Sequence, residues 1–240
     1  MKRAAVGGAD CGPLPSGAEV PPSIGHADTP YRVHHSSSAL FLKRCMDLCL
    51  AIVLLLVLSP LLALVALIIP LDSAGPALYR QTRIGKGRRL FSMWKFRTMV
   101  RDAPEDPHRD FVLALMRGSE PTRPASKLVD DPRITRVGRW LRRTSFDELP
   151  QLFNVVRGEM SLIGPRPPLL YEYEAYQPWQ LERFGIPQGM TGLWQVSGRN
   201  RVTHHRMLEL DIEYVRRWSL WLDVMILLRT PRAVVIDGEW

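Results

Sequence analysis

From Leu48 to Leu71 the chain runs 24 residues without a charge. At ~1.5 Å per residue, a helix of that length can cross the ~30 Å hydrocarbon core of a bilayer. The run is too long and too apolar for an ordinary core helix, so it predicts a membrane segment. Ser59 and Pro60 stand at its midpoint. A proline there removes one backbone hydrogen bond and clashes with the preceding turn, which bends or breaks a helix. Both flanks are basic: Arg32, Lys43 and Arg44 precede the run, and Arg80, Arg83, Lys86, Arg88 and Arg89 follow it. Positive charge marks the cytoplasmic side of a membrane, and here it marks both ends. Two forms satisfy these facts. One is a re-entrant helix that breaks at Ser59-Pro60 and returns to its starting face; the other is a kinked helix that spans. The residues themselves leave both open.

The remainder of the chain is basic, with 32 Lys and Arg against 24 Asp and Glu, and a pI near 9.8. That balance points to an anionic partner: nucleic acid, anionic lipid or a phosphorylated substrate. No zinc-finger or helix-turn-helix signature supports nucleic acid. Three cysteines without metal-like spacing argue against a disulfide framework and fit a reducing compartment. Residues 1–38 are rich in Gly, Pro, Ala and Ser, show no apolar periodicity and predict a disordered tail.

After the apolar run, residues 77–99 predict a β-hairpin around Gly85-Lys86-Gly87, with Phe91, Met93, Lys95 and Arg97 on one face of its second strand. Residues 101–131 hold four prolines and many charges and read as an excursion, with a short helical piece near "DFVLALM". Five arginines then fall between Arg133 and Arg143. Ile134, Val137 and Leu141 recur at helical spacing, with Arg136, Arg139 and Arg143 on another side. This is either a core helix with a solvated basic face, or a helix facing anionic lipid or phosphate.

"TSFDEL" follows, with Asp147 and Glu148 adjacent. Ser145 and Glu148 have the spacing of a capping box, and acids in a first helical turn offset the macrodipole. One acid suffices for a cap, and neighbours on a helix point about 100° apart. A second use is a carboxylate that attacks or exchanges protons beside one that holds a hard cation such as Mg²⁺. "GPRPP" fixes the backbone on both sides of Arg166, which lowers the entropy lost when its guanidinium meets phosphate. Arg199 sits in a Gly-rich stretch, "GIPQGMTGLWQVSGRN", expected to be a loop. His204-His205 has no partner at metal spacing and reads as solvated surface. Two helices close the chain, the last with Trp218, Trp221, Val224, Met225 and Leu228 along a stripe. That stripe suits a membrane interface or docking on the core. There is no Asp-X-Asp, no GxxxxGK[ST] and no GxSxG.

Five strings in order, "KRCMDLCLAIVLLLVLSPLLALVALII", "YRQTRIGKGRRLFSMWKFRTM", "DDPRITRVGRWLRRTSFDELPQLFNVVRGEMSLIGPRPP", "GMTGLWQVSGRN" and "LDIEYVRRWSLWLDVMILLRT", resemble the successive blocks of the bacterial sugar transferase family, the monotopic phosphoglycosyl transferases. The resemblance covers about residues 41 to 229. It implies transfer of a sugar-1-phosphate from a UDP-sugar to undecaprenyl phosphate, release of UMP, and a start to exopolysaccharide, capsule or O-antigen synthesis. It implies an α+β, mainly helical fold with a re-entrant helix broken at Ser59-Pro60, amphipathic interfacial helices and a small β-hairpin. The expected division is a tail over 1–38, a membrane helix over 39–76 and a cytoplasmic catalytic domain over 77–240, at the bacterial inner membrane. Asp147 is the implied nucleophile and Glu148 the implied Mg²⁺ ligand. Lys95, Arg97, Arg143, Arg166, Arg199 and Asp223 are the expected contacts to substrate or phosphate. No residue selects the sugar, and a homo-oligomer is compatible with the sequence.

Overall fold

The computed structural model describes residues 35–101, 109–110, 113–114, 131–198 and 202–236. Arg199, most of the tail and most of the 101–131 excursion therefore lie outside the described residues. Residues 109–110 and 113–114 are helical, where a short helical piece is expected.

The fold is mainly helical with two small sheets, as the expected class requires. Helix α1, Ser37–Asp72, is 36 residues long and carries Pro60 and Pro70 within it. Ser59 and Pro60 fall inside one continuous element, where the Ser59 hydroxyl donates to the Leu56 carbonyl at 2.9 Å. It is long and apolar enough to cross a membrane. Leu56, Val57, Leu67 and Leu71 on it are exposed, while Ala51, Val65 and Ile69 are buried.

Strands β1 (Leu78–Ile84) and β2 (Leu90–Phe96) pair antiparallel, with Leu78 opposite Phe96 and Ile84 opposite Leu90. The turn between them holds Gly87 at φ +65°, a conformation that glycine adopts without strain. Helix α2, Arg136–Thr144, is capped by the Thr135 hydroxyl, which accepts from Gly138 N. A Cβ on Gly138 would meet the Thr98 carbonyl oxygen at 2.1 Å, so only glycine lets α2 lie this close to the end of the hairpin. Leu141 is the fully buried residue of α2, and Arg136, Arg139 and Arg143 are exposed. Ile134 precedes the helix and bridges to Met99 instead of extending its apolar face.

Helix α3 (Gln151–Arg157) leads to β3 (Ser161–Ile163). After α4 (Leu170–Glu174) and a 3₁₀ stretch over Pro178–Gly185 comes β4 (Gly189–Thr191), which pairs parallel to β3. Helix α5 spans Leu193–Val196. The Gly-rich stretch expected to be a loop thus contains a strand and a short helix. A Cβ on Gly189 would sit 2.0 Å from Gly164 N, so these glycines allow two backbones to approach and pair. Helices α6 (His204–Arg217) and α7 (Leu220–Ile236) close the described chain.

The main core gathers Phe91, Met93, Leu152, Ile163, Tyr214, Trp218 and Ile226 around Ala51 of α1. A second cluster sets Val65 and Ile69 of α1 against Phe96 and Leu141. Both halves of the apolar helix therefore pack on the same body. Trp218 docks on the core, whereas Trp221 and Leu228 of α7 are exposed, which divides the expected stripe between the two readings.

Candidate active site

Helix α2 ends at Ser145, whose backbone is left-handed at φ 58°. A 3₁₀ turn over Phe146–Glu148 starts there, and the Ser145 side chain makes no capping bond to it. The expected capping box is thus corrected: Ser145 ends one helix by its backbone and does not start the next by its hydroxyl. The sharp reversal places Asp147 at 9% exposure and leaves Glu148 nearer the surface.

Lys95 reaches Glu148 from β2, with Nζ 2.9 Å from Oε1. Arg142, half-buried at the end of α2, donates from Nε to the Thr98 hydroxyl at 2.9 Å. Burial lowers its pKa, and the charges of Asp147 and Asp131 partly restore it. Arg166 projects from the Pro-rich loop after β3, with Nη1 3.4 Å from Glu172 Oε1. Burial would lower its pKa, but Glu172 and Glu148 outweigh that and hold the guanidinium above its ordinary value. Burial pushes Arg83 down to about 10, Arg166 adds to this, and Glu172, Tyr171 and Glu148 oppose it. Two carboxylates and at least three cations thus share one electrostatic neighbourhood, drawn from β1, β2, α2 and the Pro-rich loop.

Arg143, an expected phosphate contact, is exposed, whereas its neighbour Arg142 lies within electrostatic reach of Asp147. A signal existed. Arg142 falls off the exposed Arg136–Arg139–Arg143 stripe and lies one turn after Gly138, which faces Thr98. Arg97 is largely engaged: it donates to the carbonyls of Ala74 at 2.5 Å, Ser73 at 2.6 Å and Gly75 at 3.1 Å, just past the end of α1. These contacts clamp the end of the helix.

Asp223 is fully buried and accepts from Lys43 Nζ at 2.7 Å, the Tyr214 hydroxyl at 2.6 Å and Trp218 Nε1 at 3.1 Å. Three donors of its own chain thus enclose this carboxylate. It ties α1 to α6 and α7.

His204 is not the solvated residue that its sequence suggested. Its Nε2 is buried without a hydrogen-bond partner, and burial lowers its pKa to about 4, with Arg183 and Arg166 adding to the shift and Glu172 opposing it. His205 is exposed and lies 3.3 Å from Glu209.

Among the described residues, no group of three or more His, Cys, Asp or Glu is arranged to hold a metal. Mg²⁺ needs no such group, since it is commonly held by one or two carboxylates, with water and substrate phosphate completing the shell. The adjacent Asp147 and Glu148, with the Glu148 side chain 38% exposed, offer hard oxygen donors of that kind.

The described chain thus joins a helix long and apolar enough to cross a membrane to a carboxylate pair with guanidiniums in electrostatic reach. The family model described as bacterial sugar transferase matches residues 38–237, and the chain belongs to that family. It is 43% identical over 209 residues to an undecaprenyl-phosphate galactose phosphotransferase of Salmonella typhimurium, covering 85% of this chain and 42% of the relative. It is 44% identical over 212 residues to a UDP-galactose-lipid carrier transferase of Erwinia amylovora, covering 86% of this chain and 43% of that protein. An exopolysaccharide production protein of Sinorhizobium fredii is 41% identical over 195 residues, covering 81% of this chain and 86% of that one. The chain thus spans less than half the length of the first two relatives and most of the third.

Proposed function

We propose that the protein transfers a sugar-1-phosphate from a UDP-sugar to undecaprenyl phosphate at the cytoplasmic face of the inner membrane, starting synthesis of a surface polysaccharide. The observation that carries this reading is the largely buried Asp147 beside a Glu148 paired with Lys95, with Arg142 and Arg166 in electrostatic reach. A UDP-sugar pyrophosphate bears about two negative charges and would repel a carboxylate nucleophile. Arg166, Arg142 and Lys95 offset that charge and stabilise what develops in phosphoryl transfer.

Asp147 attacks the phosphorus that bears the sugar. The bond from that phosphorus to the bridging oxygen breaks, UMP leaves with the electron pair, and an aspartyl phospho-sugar remains. A phosphate oxygen of undecaprenyl phosphate then attacks the same phosphorus and releases the Asp147 carboxylate. Division of one transfer into two is covalent catalysis and predicts ping-pong kinetics. Glu148, with Asp147 beside it, would hold Mg²⁺ against the substrate phosphates. When bound, the ion supplies charge neutralisation there. Lys95, by pairing with Glu148, fixes that carboxylate's direction.

The packing of α1 supports a re-entrant anchor. Lys43, Asp47 and Ala51 are buried near its start, Val65 and Ile69 near its end, and Leu56 and Val57 between them are exposed. Two ends docked on one body suit a helix that enters and leaves by the same face, as the doubly basic flanks do. Such an anchor keeps the site beside both a soluble donor and a lipid acceptor.

The test is to incubate the purified protein with Mg²⁺, a panel of UDP-sugars and undecaprenyl phosphate, and to measure UMP. Release that depends on the lipid acceptor and disappears in Asp147→Asn is expected. Full activity in Asp147→Asn would rule out the covalent route, and tags at the two termini found on opposite sides of the membrane would rule out the re-entrant anchor.

A further inference from the structure

Pro165, Pro167 and Pro168 have no backbone N–H, so the loop that carries Arg166 cannot fix itself by donating hydrogen bonds at these positions. Its carbonyls are the available handles, and four in a row are taken. The Pro165 carbonyl accepts from Gly189 N at 2.8 Å, and that of Arg166 from Arg183 Nη2 at 2.8 Å. The Pro167 carbonyl accepts from Arg83 Nη1 at 3.0 Å, and that of Pro168 from Ile84 N at 3.2 Å. Leu169 N donates to Glu172 Oε2 at 2.6 Å and closes the series.

Two of the four donors are arginine side chains, only 4% exposed at Arg83 and 2% at Arg183. Arg183 is itself oriented by Asp211, at 2.5 Å, and by the Tyr176 hydroxyl. Arg83 also donates to Gln81 Oε1 at 2.7 Å. Burying two guanidiniums behind a loop costs desolvation that apolar side chains of similar volume would not incur. What the pair provides is direction: each fork binds a carbonyl at fixed geometry.

We infer that Arg83 and Arg183, the latter braced by Asp211, are positioning residues that hold the Pro165–Pro168 backbone so that Arg166 is aimed before substrate arrives. This rests on the reading of Arg166 as a substrate-phosphate contact. A guanidinium aimed in advance loses less freedom on binding, and small misplacements at such a contact are costly. Neither arginine touches substrate in this scheme, and both act through Arg166.

A double-mutant cycle on the full chain in lipid nanodiscs tests it. Arg183→Lys and Arg83→Lys are each made with Arg166 intact and with Arg166→Ala, and kcat/KM for the UDP-sugar is measured. Each lysine variant is expected to lose about tenfold in activity with Arg166 present and less than about twofold without it, the non-additivity of residues that act as one unit. Equal losses in both backgrounds, or no loss in a folded variant, would overturn the inference. If a lysine variant fails to fold, the nearly isosteric Asp211→Asn, which loosens Arg183, enters the same cycle and is read by the same outcomes. Hydrogen exchange at the Gly189 and Ile84 amides needs no substrate and should quicken in the variants; unchanged exchange also overturns the inference. Absence of UMP from the unaltered protein, or a harmless Arg166→Ala, would instead defeat the reading of Arg166, with amide exchange still reporting whether the loop is held.

Discussion

Lys43 of α1 donates to Asp223 of α7 at 2.7 Å, across 180 residues, where neither side chain is more than 2% exposed. The pair is one corner of a buried network. Lys43 also donates to the Ile163 carbonyl at 2.9 Å, and Asp47 accepts from Leu162 N at 3.1 Å. The apolar helix is thus fastened to β3 and α7 by charge as well as by packing.

Removing the acid should therefore harm stability before chemistry. Asp223→Ala leaves the Lys43 ammonium buried without its nearest counter-ion, which typically costs about 3–5 kcal/mol. A marked fall in the thermal unfolding midpoint is expected in detergent. An unchanged midpoint with lost activity would return Asp223 to the substrate site.

The two carboxylates should separate in their effects. Asp147→Asn is expected to lower turnover by about 10⁴-fold or more, the scale of losing a covalent nucleophile. Glu148→Gln should retain measurable activity and raise the Mg²⁺ concentration for half-maximal rate by about tenfold, equivalent to ~1.4 kcal/mol. A Mg²⁺ titration of UMP release with and without chelator checks both.

Adjacent arginines should also differ. Arg142 lies within electrostatic reach of Asp147, whereas Arg143 is exposed. Arg142→Ala is expected to reduce kcat by about 100-fold, as for loss of one preorganised donor. Arg143→Ala should stay within about twofold, as expected for an exposed side chain. The reverse order would place the substrate on the other side of α2.

His204 gives the fold a pH dependence of definite sign. Its pKa falls from 6.5 to about 4 on burial, so the folded state disfavours its protonated form. The stability it contributes is complete above pH 6.5 and is lost as pH falls towards 4, by at most ~3.4 kcal/mol. His204→Gln should flatten that part of the stability–pH curve. Asp211, pushed up to about 7 by burial against the pull of Arg183 and Arg166, acts in the opposite sense: its contribution is lost as pH rises towards 7. Urea unfolding of each variant across this range separates the two.

The apolar helix, the β1–β2 hairpin, the two closing helices and the candidate pair Asp147–Glu148 were all legible in the chain. Each is a local pattern: an uncharged run, a turn flanked by strand-formers, an apolar period, two adjacent acids. The β3–β4 pairing was not legible, because it depends on Gly164 and Gly189 meeting from 25 positions apart. Nor was the division of labour among the arginines. Residue type marks a guanidinium as able to bind phosphate, but partners decide what it binds. Tertiary structure turned Arg97 to the carbonyls at the end of α1, Arg83 and Arg183 to the Pro-rich loop, and Arg142 towards Asp147. It enclosed Asp223 among three donors. A charge takes its role from what surrounds it, and that environment is assembled from segments far apart in the chain.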